Sequence, residues 1–184
     1  MKWSFLLILL FGKCFSQNSE ISIEANGQAS GKREIYKVML KDSTAQIVYF
    51  NRDSISKKFN TDKRIKKLFK KMDLKNPKDS AKVKEFKNIL ESYSHYTRDT
   101  LKLSSKTVIE LKRIISKIDE TSTSDLEIKI PGTFELMIDG TIYKLNIPYK
   151  GKNRIVWASK NIKRYPLIYE LIVFVENIRK NSSL

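Results

Sequence analysis

The residues best suited to acid–base chemistry lie in one short polar segment, Ser92 to Asp99, with the sequence SYSHYTRD. It contains His95, the only histidine of the chain, so any triad or general base that depends on histidine must use it. Asp99 and the tyrosines of the segment could orient the imidazole. No nucleophile motif accompanies them, and a lone histidine between a helix and a strand is commonly a surface or capping residue. His95, Arg98 and Asp99 are therefore a candidate polar site, hydrolysis at His95 is an alternative function, and we assign no catalytic residue.

A second candidate is a short segment in which cationic side chains are concentrated. Between Arg52 and Lys84 there are thirteen Lys and Arg residues against four Asp, a surplus of nine. Within it, Asp62 to Met72 is typical of an amphipathic helix. Its apolar side chains recur at i, i+3, i+4 and i+7: Ile65, Leu68, Phe69 and Met72. The opposite arc carries the candidate binding residues, Lys63, Arg64, Lys66, Lys67, Lys70 and Lys71.

This basic helix has two interpretations. A cationic arc above an apolar arc could lie on an anionic membrane surface or bind a polyanion. The same pattern is more common in a surface helix whose apolar stripe faces the core and whose lysines are solvated. Because the helix has only one narrow apolar stripe, that stripe cannot be buried in the core and inserted into lipid at the same time. Nucleic acid is the weaker polyanion, since the chain contains no recognised nucleic-acid motif and is expected to be exported.

Metal and cofactor sites lack the residues that they need. A single histidine removes most zinc arrangements, and the acids are scattered without the spacing of a calcium loop. Gly27 and Gly31 are isolated and precede a predicted strand, so they do not form a phosphate-binding loop before a helix. We predict neither a metal nor a cofactor.

The first sixteen residues have the layout of a secretory signal peptide. A short basic start, Met1 to Trp3, is followed by an apolar run from Phe5 to Phe11. Small residues at −3 and −1 place the cleavage between Ser16 and Gln17. The apolar run is shorter than the roughly 20 residues that span a bilayer, and no later stretch is apolar for that length. We therefore expect an exported protein, periplasmic or secreted, without a transmembrane helix after cleavage.

Cleavage at this site would change what the mature chain contains. It would leave 184 − 16 = 168 residues, a single domain by length. Cys14, the only cysteine, would be lost, so no disulfide is expected. The mature chain would carry 34 − 20 = +14 charges, because Lys2 and Lys13 are lost. An uncleaved anchor and a lipoprotein at Cys14 are minority alternatives; a lipobox requires a small residue where Lys13 stands.

The clearest structural pattern lies towards the C-terminus. Asp139-Gly140 separates two alternating apolar runs, which predicts a two-residue type I′ hairpin. In that register Leu136 pairs with Tyr143 and Glu135 with Lys144, and Tyr143, Leu145 and Ile147 share an apolar face. A strongly apolar helix is predicted to begin at Pro166.

Aromatic residues of this C-terminal part are predicted to pack in the core or across strands, since they occur at strand spacing. They are Tyr143, Tyr149, Trp157 and Tyr165. Tyr169 and Val173 lie off the main stripe of the last helix, so they cover a second element or mark a partner surface.

The remaining segments complete the predicted fold. Strands are expected at 34–40 and 45–50 and near 99–103, and helices from about Asp79 and from an N-cap at Ser104. Strands are clustered instead of alternating one for one with helices. This favours an α+β fold with an antiparallel sheet of about five to six strands and amphipathic helices packed mainly on one face. The predicted organisation is a signal peptide at 1–16 and one globular domain at 17–184.

The absence of any motif that carries chemistry sets the functional expectation. We expect a non-enzymatic binding or interaction protein of the periplasm or cell envelope. Its partner would be another envelope protein or an anionic surface.

Overall fold

Six strands form an antiparallel sheet in the computed structural model, which describes residues 19–27, 31–41, 43–70, 79–129 and 140–182. The sheet order is β4-β3-β2-β1-β5-β6. The strands are β1 (Ser19–Gly27), β2 (Arg33–Lys41), β3 (Thr44–Ile55), β4 (Ser94–Lys102), β5 (Thr141–Tyr149) and β6 (Lys152–Ser159). The helices are α1 (Lys63–Phe69), α2 (Ser80–Ser92), α3 (Ser105–Glu120) and α4 (Pro166–Ser182), and a 3-10 turn spans Lys57–Thr61. The predicted α+β fold class is confirmed.

The chain divides into two compact units. The large unit comprises Met1–Tyr49 and Asp99–Leu184, and the small unit comprises Phe50–Arg98. Among the described residues of both units, no helix is long and apolar enough to cross a membrane.

The core of the large unit lies between one face of the sheet and two helices. Alternate residues of β1, Ile21, Ile23 and Ala25, point inwards, because side chains of a strand alternate between its faces. α3 and α4 cover the same face with the stripes that their 3.6-residue period predicts. Their buried residues are Val108, Leu111, Ile114, Ile115, Ile118, Ile168, Leu171, Ile172 and Val175. Each fully buried Leu or Ile contributes about 1.5–3 kcal/mol relative to an exposed one.

Local signals set the start of both helices as predicted. The Ser104 hydroxyl accepts a hydrogen bond from the Thr107 N–H at 3.3 Å, and α4 begins at Pro166. At the C-terminal end of α3, Arg154 donates to the Ile118 carbonyl at 2.7 Å. A cation at this end also complements the helix dipole.

The neighbours of β5 differ from the predicted hairpin. Tyr143 pairs with Ala25 of β1 on one side and with Ala158 of β6 on the other. A strand has only two edges, so the predicted pairing of Leu136 with Tyr143 is wrong. The Asp139-Gly140 turn itself falls outside the described residues. The predicted inward face is confirmed, because Tyr143 is buried together with the two residues that alternate with it, Leu145 and Ile147.

The β5–β6 hairpin is closed by a tight turn at Lys150 and Gly151. Tyr149 pairs with Lys152, which leaves Lys150 and Gly151 as a two-residue loop. Their φ angles are +48° and +75°. Positive φ at both positions is the type I′ geometry that matches the twist of the strands, and glycine reaches it without strain.

Candidate functional site

The basic helix α1 is fixed at its first turn by Asp62. One carboxylate oxygen accepts the Arg64 N–H at 2.7 Å and caps the helix, while the Arg64 guanidinium donates to both oxygens, at 2.7 Å in its shortest contact. The Tyr93 hydroxyl, just beyond the end of α2, donates to the same carboxylate at 3.0 Å. Side-chain and backbone hydrogen bonds from Arg64, with a smaller one from Tyr93, lower the pKa of Asp62 to about 2. Asp62 therefore joins the two helices of the small unit.

The apolar side of α1 is buried within the small unit. Ile65 and Leu68 are 6% and 9% exposed and pack with Ile89 of α2. Phe59 and Phe86 meet edge to face at 6.1 Å between ring centres beside this cluster. The stripe that could have entered a lipid bilayer thus serves as the core of the small unit.

The opposite side of α1 presents the predicted binding residues to solvent. Those that the structure describes are all exposed: Lys63, Arg64, Lys66, Lys67 and Lys70. Lys71 lies outside the described residues. Arg64 is neutralised by Asp62, whereas the four lysines make no ion pair with a described residue. The net result is a lysine surface with four charges that no described acid compensates.

Phe69 differs from its predicted place in the buried stripe. Its side chain is 54% exposed, although its ring contacts Phe86 at 5.2 Å between centres. It lies at the flank of the buried arc, 100° beyond Leu68 and one position before Lys70. An aromatic ring is thus half-exposed beside the lysine surface.

A cleft of about 320 Å³ lies between α1 and α2. Its lining residues are Arg64, Lys67, Leu68, Lys82 and Glu85. Arg64 and Lys82 already pair with Asp62 and Asp79. Lys67 is the lining cation that pairs with no described acid, so one of the four charges of the lysine surface lies at this cleft.

The polar site predicted around His95 is not assembled by hydrogen bonds. His95 is exposed on β4, and its imidazole makes no hydrogen bond or ion pair with any described residue. Arg98, three positions on and hence on the other face of the strand, lies over the Phe50 ring at 5.8 Å. Asp99 accepts the N–H of its neighbour Thr100 at 2.7 Å. No hydrogen bond joins the side chains of His95 and Arg98, and hydrolysis at His95 stays a prediction.

A partly buried network in the large unit was not predicted. The Tyr49 hydroxyl donates to Glu34 Oε1 at 2.9 Å, and Nη1 of Arg179 donates to the same oxygen at 3.2 Å. The Tyr36 hydroxyl donates to Glu34 Oε2 at 3.4 Å. Burial raises the pKa of Glu34, but the Tyr49 hydrogen bond and the charges of Lys32 and Arg179 outweigh this effect and lower it. Glu34 is therefore held ionised.

A second carboxylate lies beside this network. Glu176 of α4 accepts a hydrogen bond from Tyr143 at 3.0 Å and pairs with Lys160. Burial, followed by the charge of Glu176, raises the pKa of Tyr143. Burial likewise raises the pKa of Tyr36 and of Tyr49. Because the phenols stay protonated and both carboxylates have donors, this arrangement suits a structural role. One feature of the sequence could have indicated this network: Glu176 and Arg179 are polar residues one turn apart on an otherwise apolar helix.

The aromatic residues of the C-terminal part do not share one environment. Tyr143 is buried as predicted, but Trp157 on β6 is 58% exposed, so it is not part of the core. Of its two predicted environments the other is found, since Trp157 contacts Lys144 across the β5–β6 pair, with 6.0 Å between the ring centre and Nζ. Tyr169 lines an open cleft of about 500 Å³ together with Tyr143 and Lys160.

In the ranges that the structure describes, no three His, Cys, Asp or Glu side chains are grouped so that they could hold a metal ion.

Comparison with known proteins adds no relative. The chain matches no family model, no curated protein and no solved structure.

Proposed function

We propose that this chain is an exported, non-enzymatic binding protein of the periplasm or cell envelope, which attaches to an anionic lipid surface through α1. One observation carries the proposal. The apolar side of α1 is buried against α2, while half of Phe69 and four lysines that pair with no described acid face solvent. A helix of this kind binds at the surface by charge and does not insert.

The type of cation favours a diffuse anionic surface. Lysine ammonium groups are mobile point charges, whereas a site for one phosphate or carboxylate generally uses the planar fork of arginine. The one arginine of α1 is occupied by Asp62. Each Lys near an anionic bilayer contributes about 1 kcal/mol, so Lys63, Lys66, Lys67 and Lys70 together give about 4 kcal/mol, to which Phe69 adds apolar contact.

The non-enzymatic part of the proposal is supported by the separation of the polar side chains on β4. The imidazole of His95 has no hydrogen-bonding partner among the described residues, and Arg98 points to the other face of the strand. A general base needs an orienting group and a substrate proton within about 3 Å. Neither His95 nor Arg98 supplies such an arrangement.

Vesicle cosedimentation tests the attachment. The protein should bind vesicles that contain phosphatidylglycerol and leave pure phosphatidylcholine vesicles unbound. Binding should disappear towards about 1 M NaCl, where the Debye length is only about 3 Å. Lys67→Glu with Lys70→Glu should lower the affinity at least about 30-fold, since removal of two charges alone removes about 2 kcal/mol.

A matched double variant separates α1 from the overall charge. Lys41→Glu with Lys106→Glu makes the same change in net charge at two exposed lysines of the large unit that have no described partner. It should lower the affinity by less than about 5-fold, the effect of one surface charge. Equal losses in both variants, or no binding of the unchanged protein, would refute the role of α1. If the protein bound a soluble polyanion such as heparin but not vesicles, its target would be a polyanion instead of lipid.

Export is tested by the N-terminus of the protein recovered from cells. Sequencing should begin at Gln17, and Ser16→Arg should block processing because the −1 position requires a small residue. Cys14→Ser should leave processing and solubility unchanged. Loss of membrane retention in Cys14→Ser would instead identify a lipoprotein.

A further inference from the structure

The open cleft beside Tyr169 lies wholly within the large unit. It has a volume of about 500 Å³, and its lining comes from the start of β5, the end of β6, the loop that follows β6 and the first turn of α4. Tyr143 and Ser159 are the most buried lining residues, at 4% and 5% exposure, so they form its floor. Ligand sites commonly have volumes of about 300–1,000 Å³, so this cleft can hold a small organic molecule.

The loop between β6 and α4 fixes one side of the cleft. The carboxamide oxygen of Asn161 accepts the N–H groups of Lys163 and Arg164, at 3.0 Å and 3.2 Å. The Arg164 guanidinium in turn pairs with Glu127 at 2.6 Å. Lys163 and its neighbour Ile162, which both line the cleft, are therefore presented by a loop that is already held in place. A site of this kind binds without a large cost of ordering the loop.

One positive charge of the cleft has no described counterion. Lys160 pairs with Glu176, and the same carboxylate accepts the Tyr143 hydroxyl at 3.0 Å. Lys163 forms no ion pair with any described residue. Among the described residues that line the cleft there is no Asp or Glu. The lining thus has one cation to spare, which favours a ligand with a single negative charge.

The uncharged lining groups indicate the rest of the ligand. The hydroxyls of Thr141 and Tyr169 form no hydrogen bond with a described residue, and like the Lys163 ammonium they can donate. A carboxylate only accepts hydrogen bonds, so its two oxygens match such donors. The Tyr169 ring and Ile162, which is 58% exposed, add apolar surface on which a flat ring can pack.

We propose that this cleft is a binding site for a small monocarboxylate with an apolar ring system. Lys163 pairs with the carboxylate of the ligand, and Tyr169 packs against its ring. A cationic ligand fits less well, because Glu176 already has two donors, and a dianion has no second cation, because Lys160 is neutralised. The site belongs to the large unit, so it does not depend on the proposed role of α1.

Titration of the full chain with indole-3-acetate, followed by NMR, tests the proposal. Binding should be saturable with a Kd of about 1 mM or tighter, the affinity expected for a ligand of this size. The largest shifts of amide signals should occur at Ile162, Lys163 and Tyr169. Indole-3-acetamide has the same ring without the charge and should bind at least about 10-fold more weakly. No saturable binding, equal binding of the amide, or shifts mainly in α1 would overturn the proposal.

Substitution separates the charge of Lys163 from the shape of the cleft. Lys163→Gln should weaken the binding of indole-3-acetate at least about 10-fold and leave that of the amide within about 2-fold. Lys152→Gln removes the same charge from an exposed lysine at the other end of β6, which also has no described ion pair, and should change neither affinity by more than about 2-fold. Equal losses in the two variants, or an equal loss for both probes in Lys163→Gln, would overturn the proposal.

The contribution of the ring is measured by Tyr169→Ala. It should weaken both probes by at least about 3-fold, since an aromatic contact is lost whether or not the ligand is charged. Tyr169→Phe keeps the ring and should leave the binding of the amide within about 2-fold, so it identifies a loss caused by misfolding of the alanine variant. Unchanged affinities in Tyr169→Ala would overturn the placement of the ligand in this cleft.

Discussion

The guanidinium carbon of Arg179 lies 3.7 Å from the centre of the Tyr49 ring. The stacked guanidinium also donates to Glu34, which accepts the Tyr49 hydroxyl at the same oxygen. α4 and the strands β2 and β3 of the large unit are therefore joined by one charged group. Since Arg179 and Glu34 are 145 positions apart, this contact forms only when the sheet and the last helix have assembled.

Arg179→Ala should destabilise the large unit by about 1.5–3 kcal/mol. It removes a cation–π contact and leaves the half-buried Glu34 without its guanidinium partner. The estimate lies below that for a fully buried pair, because the Arg179 side chain is 34% exposed. Arg179→Lys should cost about 1 kcal/mol, since the charge stays and the planar stack is lost.

Urea unfolding with a matched control checks this value. Arg113 pairs with Glu170 at 2.7 Å, but both side chains are more exposed, at 50% and 36%. Arg113→Ala should therefore cost less than about 1 kcal/mol. Equal losses for Arg113→Ala and Arg179→Ala would show that the Tyr49 stack contributes nothing measurable.

Glu34 should make the stability of the large unit depend on acid. Its pKa in the folded chain lies below the ordinary 4.5, so its contribution is present above that pH and is lost as the pH falls below it. Glu34→Gln should therefore unfold more easily than the parent at neutral pH, and its free energy of unfolding should fall less between about pH 5 and pH 3. An identical pH dependence in the two proteins would contradict this role.

Local signals in the sequence were sufficient for the helices and for most strands. The hydroxyl of Ser104 and the ring of Pro166 act on the first turn of their own helices, so short-range chemistry placed α3 and α4. β4 was predicted too short, because its first half, Ser94 to Arg98, alternates polar residues without an apolar face. No apolar pattern marks this half of the strand, because its side chains are mostly exposed.

Alternation predicts the face of a strand but not its neighbour. Tyr143 has the inward face that the pattern predicted, yet its partners are Ala25 and Ala158. On β6, alternation places Ile155 and Trp157 on one face and Val156 and Ala158 on the other, so both faces carry apolar residues. The face with the smaller side chains, Val156 and Ala158, is the buried one. Nothing local distinguishes them, since only the position of α3 and α4 decides which face is covered. For that reason the sequence could not tell that Trp157 packs across the strands instead of in the core.

The register of β5 is tested by the coupling between Lys144 and Glu24. A double-mutant cycle with alanine should give about 0.2–1 kcal/mol in urea unfolding, the range of opposed charges on neighbouring strands. The same cycle between Lys144 and Glu135, the partner that the predicted hairpin requires, should give a coupling near zero. Coupling to Glu135 instead of Glu24 would restore the hairpin register.

The titration of Asp62 measures how firmly Arg64 is held. The pKa of Asp62 is about 2 in the folded chain, whereas that of a free aspartate is 3.8. The stabilisation is thus complete above about pH 4 and is lost as the pH falls towards 2. Arg64→Ala should raise the pKa of Asp62 towards 3.8, and NMR titration of the Asp62 carboxyl group would measure this change. An unchanged pKa would show that the backbone cap and Tyr93 suffice.

Asp62→Asn links this contact to binding. Asparagine caps a helix about as well as aspartate, so α1 should keep its structure, but the charge of Arg64 is no longer neutralised. The affinity for phosphatidylglycerol vesicles should then rise about 5-fold at neutral pH, the effect of one added surface cation. Glu110→Gln makes the same change in net charge at an exposed position of α3 and should leave the affinity within about 2-fold. If both variants tighten binding equally, net charge governs attachment and α1 has no special part in it.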